Sequence, residues 1–154
     1  MTKETSGIRV VMILEIIGRP AEHLVSTLEE MIKKIGEEKK TEVISKKIAE
    51  PIFLKDSKEF YTTHAEIEVE VEEVLYLAML MFKYMPAHIE VVSPELIALT
   101  NNGWSEILSE LTRKLHGYDE VARILQNEKI ILENKLKEVM DMKKEKKKAG
   151  KKKD

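Results

Sequence analysis

The sequence predicts an α+β fold: a four-stranded antiparallel sheet in the order β-α-β-β-α-β with two helices on one face, then a long C-terminal helical arm and a basic end. Three observations predict it. Hydrophobic periodicity switches between two and about 3.6 residues in that order. Glycine, proline and asparagine mark the switches. A three-four leucine spacing then runs without proline from Leu108 to Val139.

The first strand is read from Ile8 to Ile17, nearly continuous apolar and β-branched, as expected of a central strand with both faces covered. The run is too short to span a bilayer, and Gly18-Arg19-Pro20 follows it in place of a small-residue cleavage site. Ala21, Leu24, Leu28, Met31, Ile32 and Ile35 then recur at three and four, with Pro20 suited to the helix start and Gly36 to its stop. That spacing predicts a helix of about four turns. A second strand is read over Thr41–Ile48 and a loop over Pro51–Phe60.

The third strand alternates cleanly. Tyr61, Thr63, Ala65, Ile67, Val69 and Val71 point one way, and Thr62, His64, Glu66, Glu68 and Glu70 the other. Residues 73–85 predict a second helix, apolar on more than one side and so expected to meet something besides its own sheet. Pro86 ends it, and His88–Val92 is the last strand. This order is the split, ferredoxin-like unit, here residues 1–92, whose right-handed crossovers put both helices on one face.

Residues 93–142 form the arm. Ser93-Pro94-Glu95 is read as the start of a short helix, Asn101-Asn102-Gly103 as a turn, and Trp104 as a packing anchor. The seam is Leu108, Leu111, Leu115, Tyr118, Ala122, Leu125, Leu132, Leu136 and Val139, interrupted by Lys129. Such a seam serves helix packing, not chemistry. Arg113, Lys114 and His116 before Gly117, with Asp119 and Glu120 after it, match the charge pattern of a helix break. Because the seam keeps its register across Gly117, one helix from Trp104 to Met140 is expected, with a two-helix hairpin as the alternative.

The net charge of −2 conceals an asymmetry. Lys143, Lys144, Lys146, Lys147, Lys148, Lys151, Lys152 and Lys153 face only Glu145 and Asp154, a local charge of +6 over 143–154, so the first 142 residues carry −8. The basic tail is expected to be disordered and open to nonspecific contact with nucleic acid or another polyanion, while the acidic body repels it. Absence of cysteine excludes disulfides, thiolate metal sites and thiol redox chemistry and agrees with the cytoplasm. The 35% charged content, mostly Lys and Glu with a single Gln, leans toward a thermophile.

No catalytic constellation emerges. His64-x-Glu66 on strand three and His88 near strand four have metal- or acid-base-competent side chains, yet strand alternation puts such groups on a free face by default. His23 and His116 have no second histidine at i+4 to make an HExxH-like pair, the serines lie in no Gly-x-Ser-x-Gly context, and the six glycines are not clustered for phosphate. Sheet-face RNA binding is disfavoured, since carboxylates stand where bases would stack on rings. No catalytic residue, metal or cofactor is therefore assigned, and the chain is read as no enzyme.

The first strand-helix junction, Ile16-Ile17-Gly18-Arg19-Pro20-Ala21-Glu22-His23-Leu24, resembles the turn of ACT-type regulatory domains, which commonly read Asp-Arg-Pro-Gly in the same β-α-β-β-α-β order. Gly18 stands where that family usually has Asp or Asn, and Ala21 where it has Gly. The resemblance implies a small amino-acid-like anion held near Gly18, Arg19 and Ala21, with Arg19 on its carboxylate. The whole chain also resembles small archaeal proteins with a ferredoxin-like core and a helical arm.

Together these observations lead to a cytoplasmic, non-enzymatic interaction or regulatory protein. It is expected to form a homo-oligomer, or to hold a protein partner, through the arm, without contacting a membrane. An ACT-type ligand sensor and an accessory factor tethered to nucleic acid by its lysines are the other two expectations.

Overall fold

Two eleven-residue strands, β1 (Ile8–Gly18) and β4 (Tyr61–Val71), pair antiparallel along their whole lengths, from Ile8 opposite Val71 to Gly18 opposite Tyr61. Side chains alternate across a strand, so this register gathers Val10, Met12 and Leu14 with Ala65, Ile67, Val69 and Val71 on one buried face. The computed structural model describes residues 7–57 and 59–150. The chain divides into two compact units, Met1–Ser109 and Glu110–Asp154.

Helix α1 (Ala21–Gly36) follows β1 and sends Leu28, Ile32 and Ile35 into that face. Strand β2 (Thr41–Ile48) pairs with β4, and β5 (His88–Ser93) pairs with the other side of β1. Between β4 and β5 lies α2 (Val74–Tyr84), which ends on Met85 in the left-handed conformation just before Pro86. It adds Leu80 to the same core cluster as α1, with Val74, Leu77 and Tyr84 packed around it. Met79, Met81 and Met85 are left exposed.

The sheet differs from the four-stranded one expected. The segment read as a loop over 51–60 contains a further strand, β3 (Ile52–Phe53), whose residues face Thr62 and Tyr61 of β4. The sheet therefore has five strands, ordered β2-β4-β1-β5 with β3 paired to β4. Two residues carry no readable period. What holds β3 is nonlocal: Leu54 N–H donates to the Phe60 carbonyl at 2.9 Å, and the Phe53 ring meets Tyr61 edge-on with centroids 5.2 Å apart.

Strand β1 is also not covered on both faces as expected. Arg9, Glu15 and Ile17 are exposed on its second face, with Val11 and Ile13 half-buried.

The expected short helix after Ser93 is replaced by irregular chain over 94–100, from which Ile97 packs against the core. Seven residues after β5 offer too little helical hydrogen bonding to offset nucleation. The expected Asn101-Asn102-Gly103 turn is instead the first turn of α3 (Asn101–Gly150). Its start is set by Thr100, whose hydroxyl accepts the Gly103 N–H at 3.1 Å while its carbonyl accepts the Trp104 N–H at 3.0 Å.

Helix α3 is continuous through Gly117, which rules out the hairpin. It also continues through Lys143, Lys144, Lys146, Lys147 and Lys148, which corrects the expectation of a disordered tail over those residues. Lysine is a good helix former, and Lys144 reaches back to Asp141 at 3.9 Å. Lys151, Lys152 and Lys153 lie outside the described residues.

Candidate functional site

The seam expected from sequence lies along α3. Ile107 near its start is 5% exposed, while Trp104, expected as the anchor, is 49% exposed. Leu111 is half-buried. Leu108, Leu115, Tyr118, Leu125, Leu132, Leu136 and Val139 are 45–66% exposed. From residue 112 to 148 every side chain is exposed.

Lettering the repeat so that Leu115 is a and Tyr118 is d, the a positions are Leu115, Ala122, Lys129 and Leu136, and the d positions Tyr118, Leu125, Leu132 and Val139. They form one strip roughly 36 Å long at about 1.5 Å per residue. Gly117 lies off the strip with open space around it, so the helix needs no kink there to keep its phase. Val121, Ile124, Ile130 and Ile131 are exposed beside it.

Charges decorate the rest of this helix. Arg113 pairs with Glu110, Arg123 with Asp119 at 2.5 Å, and Lys129 with Glu133 at 3.8 Å. Each is a three- or four-residue contact along the helix surface. Lys129 reaches its partner from a seam position.

The turn after β1 holds Gly18, Arg19 and Ala21, the residues expected to meet a ligand. Arg19 is ion-paired with Glu59, and its guanidinium lies 5.5 Å from the Phe60 ring centre. A carboxylate of the chain itself thus occupies the group that would hold a ligand's carboxylate. A Cβ on Gly18 would sit 3.1 Å from Leu24 Cδ2, so the missing side chain makes room for helix α1. Ala21 opens that helix and is half-buried.

On the open sheet face the register separates the polar groups noted in the sequence. His64 lies opposite Glu15, whereas Glu66 and His88 flank Ile13 from either side. An isoleucine thus stands where a shared ligand would need to sit. Among the described residues no group of three or more His, Cys, Asp or Glu is arranged to hold a metal. Part of the acidic row is neutralised within the sheet, Arg9 reaching Glu70 at 3.0 Å and Glu68 at 3.6 Å.

Two further ion clusters were not foreseen. Glu38, just beyond α1, accepts hydrogen bonds from Lys83 and from the Tyr84 hydroxyl, the latter at 2.6 Å. The lysine and then the phenol hold the Glu38 carboxyl below its ordinary range. Burial, then the adjacent carboxylate, pushes the Tyr84 phenol up. Lys40 bridges Glu72 at 3.0 Å and Glu73 at 2.9 Å, and these contacts raise its ammonium, Glu73 foremost.

The Lys40 cluster borders an open groove of about 730 Å³ lined also by Gly7, Glu42 and Glu70. Among the described residues lining it, the one cation, Lys40, is committed to those carboxylates. A smaller cleft of about 280 Å³ lies among Leu75, Ile97, Leu99 and Ile107. Among the described residues no buried side-chain polar atom lacks a hydrogen-bond partner.

No described helix is long and apolar enough to cross a membrane. A family model, that of the MJ0538 family, matches residues 9–149, and the chain belongs to that family. No curated protein and no solved structure matches it.

Proposed function

We propose that this MJ0538-family chain is a non-enzymatic interaction or regulatory protein of the cytoplasm that self-associates through α3. One observation carries the reading: the a and d positions from Leu115 to Val139 are exposed along a single face, broken only by Lys129. Polar surface helices do not space leucines this way without a helix to receive them.

Burying the exposed part of each seam side chain between two helices removes on the order of 1,000 Å² from water, counting about 60–120 Å² for each large apolar side chain. That is the scale of a specific protein interface. A contiguous strip of this size left in water favours indiscriminate association, and a second identical helix is the partner at hand in every copy.

Both the Arg19–Glu59 pair and the separation of His64 from His88 argue for surface recognition over small-molecule chemistry. We also read the core as the split β-α-β-β-α-β unit with β3 inserted before β4.

Leu125→Asp with Leu132→Asp places charge at two successive d positions. The double variant should sediment as a 17.8 kDa monomer where the unaltered chain sediments as an oligomer. Equal masses for the two proteins would refute assembly through this seam.

A further inference from the structure

The seam contains one charge, and its neighbours specify how two seams meet. We propose that two α3 helices pair parallel and in register as a two-stranded coil, with Lys129 as the residue that sets orientation and strand number. This rests on the self-association reading above and adds geometry to it.

In a parallel pair a g residue faces the e residue five positions further along the other helix. Four such flanks are decided by sequence, the last setting Lys135 against Met140 of the partner subunit, which is neutral. Lys114 at g meets Asp119 of the partner subunit at e, an attractive pair. Val121 meets Gln126 of the partner subunit, which is neutral. Glu128 meets Glu133 of the partner subunit, which is repulsive taken alone.

The one repulsive flank falls in the same heptad as the one charged seam position. Lys129 at a packs beside g of the opposite helix, which is Glu128 of the partner subunit, and its ammonium already lies 3.8 Å from Glu133 of its own helix. The two carboxylates that would repel each other thus converge on the ammonium between them. By symmetry this happens twice, so four carboxylates surround two lysines across the coil. Each feature would be unfavourable alone; together they complement each other.

An antiparallel pair sets g against g and e against e, so it never brings Glu133 and Glu128 of the partner subunit onto one flank. The number of strands follows from burial. A lysine at a in a two-stranded coil can lay its methylenes along the seam and carry its ammonium to the open edge. In three- or four-stranded coils that edge is closed and the charge loses its water. Leucines at the neighbouring a and d positions supply the attraction, while Lys129 selects among the arrangements they permit. Ile124 and Ile131, at c, remain outside the coil.

The chain contains no cysteine, so single cysteines report pairing cleanly. Leu136→Cys in the full-length protein, oxidised mildly at a concentration where it is dimeric by sedimentation, should crosslink to its own counterpart nearly quantitatively, since only a parallel in-register pair apposes equal a positions. Separately, Lys129→Glu should weaken the dimer at least tenfold, and adding Glu128→Lys and Glu133→Lys to it should restore most of the loss.

A dimer in which Leu136→Cys links only to Tyr118→Cys in a mixed sample would overturn the parallel register and leave self-association standing. A trimer or tetramer, or failure of the charge reversal to rescue Lys129→Glu, would overturn the role given to Lys129. A chain monomeric at every concentration would sink the self-association reading itself.

Discussion

The charge of Glu38 ties the end of α1 to the end of α2 through Lys83 and Tyr84. Its folded carboxyl titrates below the ordinary 4.5, so the tie contributes stability above that value and loses it as pH falls through the lower, folded value. Tyr84 has the opposite sense. Its phenol is raised above the ordinary 10.0, so its contribution is complete below pH 10 and is lost as the pH rises beyond it. Tyr84→Phe should therefore cost on the order of 1 kcal/mol at pH 7, less whatever solvent screens, and flatten the alkaline limb of stability against pH. Denaturant titrations of both proteins from pH 4 to 11 would show it, and parallel curves would refute the coupling. Nothing in the sequence announces this cluster, since its members lie 45 and 46 residues apart and each looks like an ordinary surface residue. Arg19 illustrates the converse. Its turn was visible in sequence, but the carboxylate that engages it comes from Glu59, 40 residues away.

At the level of elements, legibility followed the strength of the period. The alternation of β4 assigned its buried and open faces residue by residue, because Ala65, Ile67 and Val69 leave no second register that keeps them dry. The a and d phase of α3 was equally plain over Leu108 to Val139. Short or nonlocal features were not. Strand β3 has two residues, and the first turn of α3 reads as Asn-Asn-Gly until the Thr100 hydroxyl is seen capping it. The lysine run suggested disorder because composition records charge repulsion but not continuity with a preceding helix. The anchor of α3 was misjudged for a related reason: Trp104 is larger, but Ile107 is the residue facing inward. Ile107→Ala should accordingly destabilise the unit formed by residues 1–109 by about 2–4 kcal/mol, the usual cost of emptying such a site. Trp104→Ala should cost clearly less in the same chemical denaturation, and the reverse order would show that the indole is the anchor after all.

For the whole molecule, the proposed parallel arrangement would make its two ends unlike in a way that can be measured. Residues 143–154 carry +6 and follow the seam in sequence, and the proposed parallel pairing would set the helical turns over 143–148 of two copies side by side at about the 8–10 Å spacing of packed helices. That distance is comparable to the Debye length of about 8–10 Å in ordinary buffers, so the ends repel each other unless salt or a polyanion intervenes. On this proposal, self-association is a compromise between an apolar seam and a basic terminus. Deleting residues 143–154 removes the repulsion without touching a seam residue, and should tighten the dimer several-fold at low ionic strength. The gain should fade toward 0.5 M salt, where the Debye length is only a few ångströms. Antiparallel pairing predicts no such effect, because each basic end would then lie far from its counterpart. Sedimentation equilibrium of the full and shortened chains at two salt concentrations separates these outcomes. Unchanged affinity would count against a parallel pair, and weakened affinity would mean that the lysine-bearing turns themselves contribute to holding the copies together.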